Sequence, residues 1–248
     1  MKLKLLFILL FSTYSMAGTI QIAVAANVSY AIDDLKKEFN KVHPDTKVQV
    51  VLGSSGKLTA QIKHGAPYQL FMSANMKYPE ALYTDKIAVT KPLVYAQGTL
   101  AYLSSKSQDF SKGISLVKDE NIKKIAVANP KTAPYGKATI EAMKNATVYE
   151  DVKNKFVFAE SISQTVSYTV TATDIGFIAK SSLYSPKMKQ YKEDINWKEV
   201  DRKLYTPIKQ GMVILKKGES NSEVKAFYDF MLSPKAQKIL TEFGYLLP

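Results

Sequence analysis

The chain has 248 residues, a formal charge of +12 at pH 7 and no cysteine. Without cysteine it has no disulfides, thiolate metal sites, thiol catalysis or lipid-anchored N-terminal cysteine. The excess of lysine could serve nucleic acid, a membrane surface, small anions or solubility alone. Because the lysines are spread along the chain without a dense run, we expect no nucleic-acid partner and favour solubility.

The N-terminal segment has the pattern of a secretory signal. Lys2 and Lys4 precede an apolar run at residues 5–11, and Ser15-Met16-Ala17 suits signal peptidase. We predict a signal peptide over residues 1–17, cleaved after Ala17. The run is shorter than the roughly 20 apolar residues of a membrane-spanning helix, and no later stretch approaches that length. The expectation is a free, monomeric periplasmic protein without stable membrane insertion.

The first part of the remaining chain alternates apolar strands with amphipathic helices. The spacing of apolar residues predicts strands over 20–25, 47–52 and 68–72, and helices over 28–42, 57–63 and 75–82. This alternation is typical of an open, largely parallel α/β sheet.

An extended segment at residues 93–104 is long enough to leave one lobe and enter another. The same alternation then restarts, with predicted strands at 124–128, 156–159 and 174–179 and predicted helices at 137–144 and 164–172. A second extended segment at 208–216 precedes two predicted helices, 222–232 and 234–243. The chain after the predicted signal peptide has about 230 residues, which exceeds the usual size of one domain and is enough for two lobes. We therefore predict a discontinuous lobe 1 (residues 18–98 and 208–248) and a continuous lobe 2 (residues 99–207), with the crossings as a hinge.

Several strands end in small residues directly before a predicted helix. The corners Ala25-Ala-Asn27 and Gly53-Ser-Ser-Gly56 direct backbone N–H groups at one edge of a sheet. The first N–H groups of a helix lack intrahelical acceptors and carry partial positive charge, so such corners bind anions. The corners at 25–28, 53–56 and 133–136 contain no Asp or Glu. That composition suits a deprotonated tetrahedral dianion, which can only accept hydrogen bonds.

Seven short motifs, in order, resemble the periplasmic molybdate-binding proteins of the type II solute-binding fold. They are Ala25-Ala-Asn27, Gly53-Ser-Ser-Gly56, His64-Gly-Ala-Pro67 followed by Leu70-Phe-Met-Ser-Ala74, Ala128-Asn-Pro130, Ala133-Pro-Tyr-Gly136, Ala159-Glu160 and Ile175-Gly-Phe-Ile178. The ending Val224-Lys-Ala-Phe-Tyr-Asp229 continues the similarity. The resemblance covers essentially the whole chain after residue 17.

The resemblance implies a two-lobed type II periplasmic binding protein fold, with a mostly parallel sheet flanked by helices in each lobe. It also implies that molybdate or tungstate binds in the cleft between the lobes and is delivered to an inner-membrane ABC transporter permease, without a cofactor. Carried over by position, the ligand contacts would come from Asn27, Ser55, Tyr135 and Ile162, with Ala26 and Ser54 as adjacent candidates. Asn27 and Ser55 would donate from side chain and backbone, and Tyr135 and Ile162 from the backbone.

Two positions depart from the pattern of the family. Asn27 stands where many members have serine, and Ala179 stands where some use a tyrosine hydroxyl. The amide of Asn27 could replace the missing donor, although asparagine is equally suited to capping a helix. Tyr135 could equally be part of an ordinary loop, and Ile162 could equally make an ordinary contact in the core. We expect Glu160 to face away from the anion or to pair with a lysine.

Other functional classes fit the sequence less well. A serine hydrolase needs an oriented base, and the only histidines, His43 and His64, lie in helix-ending turns without an acidic motif. Two scattered histidines without cysteine or an acidic cluster are a poor ligand set for a metal cation. We therefore expect no enzyme activity. Sulfate or phosphate binding in the same fold is the alternative to molybdate binding.

Overall fold

The computed structural model describes residues 18–248, so the predicted signal peptide lies outside the described residues. In this described part of the chain, ten strands form two five-stranded sheets. The strands are β1 (Thr19–Ala25), β2 (Lys47–Gly53), β3 (Leu70–Ser73), β4 (Leu93–Gly98), β5 (Leu100–Leu103), β6 (Ile125–Ala128), β7 (Phe156–Ala159), β8 (Ile175–Ala179), β9 (Trp197–Glu199) and β10 (Ile208–Ile214). The chain leaves the first sheet after β4 and returns to it at β10.

Each sheet has one strand that runs against the others. In the first sheet, ordered β2-β1-β3-β10-β4, β1 pairs in parallel with β2 and β3, whereas β10 is antiparallel to both β3 and β4. In the second, ordered β7-β6-β8-β5-β9, β6 is parallel to β7 and β8, and β5 is antiparallel to β8 and β9. The reversed strands are those that follow the two crossings between sheets. Otherwise the sheets are parallel, which confirms the predicted fold class; the lobe boundaries stay a prediction.

Eight α-helices within residues 18–248 flank the sheets. They are α1 (Ile32–Phe39), α2 (Ser55–Lys63), α3 (Lys77–Thr84), α4 (Pro134–Asn145), α5 (Tyr149–Val152), α6 (Ile162–Thr171), α7 (Ser222–Met231) and α8 (Pro234–Glu242). The first predicted helix is divided, because residues Ala26–Tyr30 form a 3₁₀ turn before α1. Helices α2, α4 and α6 begin two or three residues earlier than predicted. In α4 the reason is Pro134, whose fixed φ suits the first turn of a helix.

Most clusters of buried apolar residues belong mainly to one sheet, whereas one cluster contains side chains from both sheets. The β1 side chains Ile22 and Val24 are fully buried beneath α1 and α7 residues. A second cluster, beneath the other sheet, also contains Ala25, Ala26 and Ala74 from the ends of β1 and β3. These small side chains let the two halves of the molecule approach closely. Within residues 18–248, no helix combines the length and apolar character needed to cross a bilayer.

Candidate functional site

Four helix starts meet where the two sheets face each other. They are the 3₁₀ turn after Ala25 and the first turns of α2, α4 and α6. Neither Ser54, before α2, nor Ala133, before α4, caps its helix with a side chain. Ser161, before α6, accepts a hydrogen bond from the N–H of Gln164 at 3.3 Å. Because the first N–H groups of a helix have no intrahelical acceptor, these buried starts provide donors for another partner.

The helix starts enclose one small cavity with a volume of about 10 Å³. Sites for drug-sized organic ligands usually have about 300–1,000 Å³, so this cavity is far too small for such a ligand. All six residues predicted for the site line it, and none of the described lining residues is charged. The lining consists of Ala25, Ala26, Asn27, Gly53, Ser54, Ser55, Ala74, Ala133, Pro134, Tyr135 and Ile162.

Ser55 is the best-placed side-chain donor. It is the first residue of α2 and is almost fully buried, and its Oγ accepts a hydrogen bond from the N–H of Ala74 at 2.9 Å. This contact fixes the hydroxyl oxygen without using its proton. A serine hydroxyl has one proton and two acceptor sites, so Ser55 can still donate to a ligand.

Asn27 is fully buried, but its side chain is committed to other groups. Its Nδ2 donates to Gln210 Oε1 at 2.9 Å and to Tyr245 Oη at 2.8 Å, whereas its Oδ1 has no hydrogen-bond partner among the described residues. The backbone carbonyl of Asn27 accepts from Tyr245 Oη at 2.9 Å and from Ser181 Oγ at 3.1 Å. In this arrangement, the donor of Asn27 that remains for a ligand is its backbone N–H, in the 3₁₀ turn.

Tyr135 and Ile162 each lie in the first turn of a helix, at α4 and α6. The Tyr135 hydroxyl accepts a hydrogen bond from Gln210 Nε2 at 3.3 Å. Burial raises the pKa of the Tyr135 hydroxyl well above its ordinary value, so the phenol stays neutral. Next to it, Gly136 packs so closely on β6 that a Cβ would lie 2.0 Å from the Ala128 carbonyl oxygen. This close packing fixes the start of α4, where Tyr135 has its backbone N–H.

Several contacts join residues of the two sheets beside the cavity. The N–H of Gly56 donates to the Thr132 carbonyl at 2.9 Å. Ser54 Oγ donates to Glu160 Oε1 at 3.2 Å, and Lys57 Nζ lies 3.6 Å from the same oxygen. Glu160 therefore pairs with a lysine, one of the two arrangements expected for it. The hydroxyl of Ser54 is occupied here by Glu160, which leaves its backbone as the part that lines the cavity.

Three polar residues that contact Asn27 were not predicted from the sequence: Ser181, Gln210 and Tyr245. The detectable signal was Gln210, a polar residue inside the apolar run of β10, because a buried polar side chain needs hydrogen-bond partners. Ala179 ends β8 and is buried, but it is not among the residues that line the cavity. Within the described chain, no three His, Cys, Asp or Glu residues are grouped as a metal-cation site.

Comparison with known proteins supports the resemblance. The family model described as bacterial extracellular solute-binding protein matches residues 20–246. The molybdate-binding protein ModA of Azotobacter vinelandii is 34% identical, with 92% of this chain and 90% of that protein covered. The corresponding protein of Rhodobacter capsulatus is 35% identical, with 93% and 89% covered.

Solved structures agree with the sequence comparison. The periplasmic molybdate-binding protein of Azotobacter vinelandii superimposes with a TM-score of 0.85 at 30% identity, covering 92% of this chain and 99% of that one. The sulfate-binding protein SubI of Mycobacterium tuberculosis has a TM-score of 0.73 at 12% identity, a likeness of fold alone. Solute-binding proteins are not enzymes and carry no cofactor, so both of those predictions are confirmed by the relatives. The chain belongs to the family of bacterial extracellular solute-binding proteins.

Proposed function

We propose that this protein binds molybdate in the cavity between its lobes, in the periplasm, and delivers it to an inner-membrane ABC transporter. Tungstate, an ion of nearly the same size and equal charge, is proposed as a second ligand. The observation that carries the proposal is the convergence of four helix starts on one small cavity without charged lining residues. The relatives that are named molybdate-binding proteins favour molybdate over other oxyanions.

The donor set suits a dianion that has lost all its protons. Helix N-termini carry partial positive charge, and hydrogen bonds to a charged acceptor are about twice as strong as neutral ones. We assign the contacts to the Ser55 hydroxyl and the backbone N–H groups at Asn27, Tyr135 and Ile162. The backbones of Ala26 and Ser54 are adjacent donors. Among the residues that the structure describes, no carboxylate lines the cavity to repel the dianion or demand a shared proton.

Capture would follow from closure of the lobes. The start of α2 connects closure with ligand binding, because one residue there contacts the opposite lobe and its neighbour contacts the cavity. Gly56 donates to the Thr132 carbonyl of lobe 2, while Ser55 keeps its hydroxyl proton for the cavity. An anion that gains donors from both lobes only in the closed form has a higher affinity for that form and shifts the population toward it.

The test is isothermal titration of the full chain, expressed with its own N-terminal segment and purified from the periplasm. Molybdate, tungstate, sulfate and phosphate are titrated at matched ionic strength, and the intact mass reports whether cleavage follows Ala17. We expect tight one-to-one binding of molybdate and tungstate, with sulfate and phosphate weak. Tight binding of sulfate or phosphate with no response to molybdate would make the protein a receptor for that oxyanion. No response to any of the four would refute the oxyanion proposal.

A further inference from the structure

Gln210 connects two residues that line the cavity from opposite lobes. It lies on β10 directly after the return crossing and is fully buried. Its Oε1 accepts from Asn27 Nδ2 at 2.9 Å, and its Nε2 donates to the Tyr135 hydroxyl at 3.3 Å. A Cβ on Gly98, at the end of β4, would lie 1.9 Å from the Tyr135 hydroxyl and 2.7 Å from Gln210 Nε2. The close packing over Gly98 holds both groups in place.

The amide of Asn27 is only half satisfied in this network. Both protons of its Nδ2 have acceptors, on Gln210 and Tyr245, but its buried Oδ1 has no hydrogen-bond partner within residues 18–248. A buried acceptor without a partner is unfavourable, and buried polar groups are normally paired. Because Asn27 lines the cavity, an unpaired acceptor at this residue also offers no hydrogen bond to an anion, which can only accept.

Rotation of two amides would pair Asn27 Oδ1, at the cost of the longer bond from Gln210 Nε2 to the Ile208 carbonyl at 3.4 Å. The two ends of a carboxamide have nearly the same shape but opposite hydrogen-bonding roles. After a half-turn of both side chains, Gln210 Nε2 would donate to Asn27 Oδ1, and Gln210 Oε1 would accept from the hydroxyl of Tyr135. The Tyr245 hydroxyl has one proton, which it donates here to the Asn27 carbonyl. On rotation it would turn that proton to Asn27 Oδ1, and the carbonyl would keep its bond from Ser181 Oγ. Burial raises the pKa values of both tyrosines, to about 12 for Tyr245, so both hydroxyls keep the proton that this exchange requires.

We propose that Gln210 is a positioning residue for the anion site, and that its amide orientation decides whether Asn27 presents an acceptor or a donor. In the anion-bound protein both amides are rotated, and Asn27 Nδ2 is released from Gln210 to donate to the ligand. The geometry that carries this inference is the Asn27–Gln210–Tyr135 chain together with the unpartnered Oδ1. The inference rests on the proposed oxyanion function.

The test compares Gln210→Met with a matched control, Tyr95→Phe, in the full chain purified after export. Met has a similar length and fills the same space, but it can neither accept from Asn27 nor donate to it. The buried Tyr95 hydroxyl donates to the same Gln210 Oε1 at 3.5 Å and does not line the cavity. We expect Gln210→Met to weaken molybdate binding at least tenfold, and Tyr95→Phe to stay within twofold of the wild type.

A second measurement follows the amide itself in the wild-type protein by NMR. The side-chain amide protons of Asn27 should show Overhauser contacts to the Tyr245 ring in the free protein and lose them when molybdate binds. Persistence of these contacts in the bound protein, or wild-type affinity in Gln210→Met, would overturn the inference while leaving the oxyanion function intact. Failure of the wild type to bind any oxyanion would instead overturn both. If Gln210→Met does not fold, the Overhauser measurement decides.

Discussion

The substitution Gly56→Ala would test whether closure depends on the start of α2. Gly56 is the second residue of that helix, and its φ lies outside the left-handed region, so alanine is compatible with its backbone. A Cβ at this position would lie 2.9 Å from Thr132 Cα, 3.0 Å from the Thr132 carbonyl oxygen and 2.7 Å from Tyr78 Oη. Tyr78 can move because it is a side chain on the same lobe. Thr132 contributes backbone atoms of the opposite lobe and can move away only if the cleft widens.

The expected loss of affinity follows from these contacts. Inserting a methyl group into a packed contact costs about 1–3 kcal/mol, and the Gly56 N–H bond to Thr132, worth about 1 kcal/mol net, would lengthen. A central value of about 2 kcal/mol corresponds to about thirtyfold weaker binding, since about 1.4 kcal/mol is tenfold. In the proposed open form, Thr132 would no longer oppose this position. There, alanine in a helix is favoured over glycine by up to about 1 kcal/mol.

Isothermal titration with molybdate and thermal unfolding of the ligand-free protein together check this prediction. We expect weaker binding with an unchanged or slightly raised unfolding temperature. Small-angle scattering of the molybdate-loaded variant should show a larger radius of gyration than the loaded wild type. An affinity within threefold of the wild type would refute the reasoning, and so would an equal loss of ligand-free stability, because the alanine would then be disturbing lobe 1 itself.

Three further substitutions, with one control, probe the site and its surroundings. Ser55→Ala removes the hydroxyl donor and should weaken molybdate binding by about 1–3 kcal/mol in a titration, and unchanged affinity would remove Ser55 from the site. Glu160→Gln should change affinity less than fivefold, because a half-exposed ion pair contributes at most about 1 kcal/mol. Asp85→Asn, which breaks an ion pair to the same helix within lobe 1, is its control and should have no effect on affinity; a hundredfold loss in Glu160→Gln alone would contradict the weak-pair argument. Burial raises the pKa of Tyr245 from 10.0 to about 12, so its contribution to stability is complete below pH 10 and is lost as the pH rises toward 12. Urea unfolding of Tyr245→Phe should therefore show a smaller loss of stability than the wild type over that range, and equal losses would mean that Tyr245 is not buried as described.

The strand-to-helix corners were predictable because local patterns define them. A short apolar run followed by small residues and an amphipathic segment marks the end of a buried strand, and parallel strands end at the same edge of a sheet. This logic located the corners, and the family resemblance then implied Asn27, Ser55 and Tyr135 as the contacts. All three line one cavity. Helix boundaries were less accurate. Ser55 and Ile162 begin helices rather than preceding them, because the first turn of each helix extends into the small polar residues of the corner.

The partners of those corners depended on the tertiary structure. Asn27 is 183 residues from Gln210 and 218 residues from Tyr245 in sequence, yet both bind its side chain. No periodicity encodes such pairings, because they arise only when the chain returns to the first sheet and its C-terminal segment packs against the 3₁₀ turn. The sequence by itself determined where backbone donors would be exposed, since strand ends and helix starts are local properties. Only the fold decided which side chains hold those donors in place, because hydrogen bonds between distant segments depend on their positions in space.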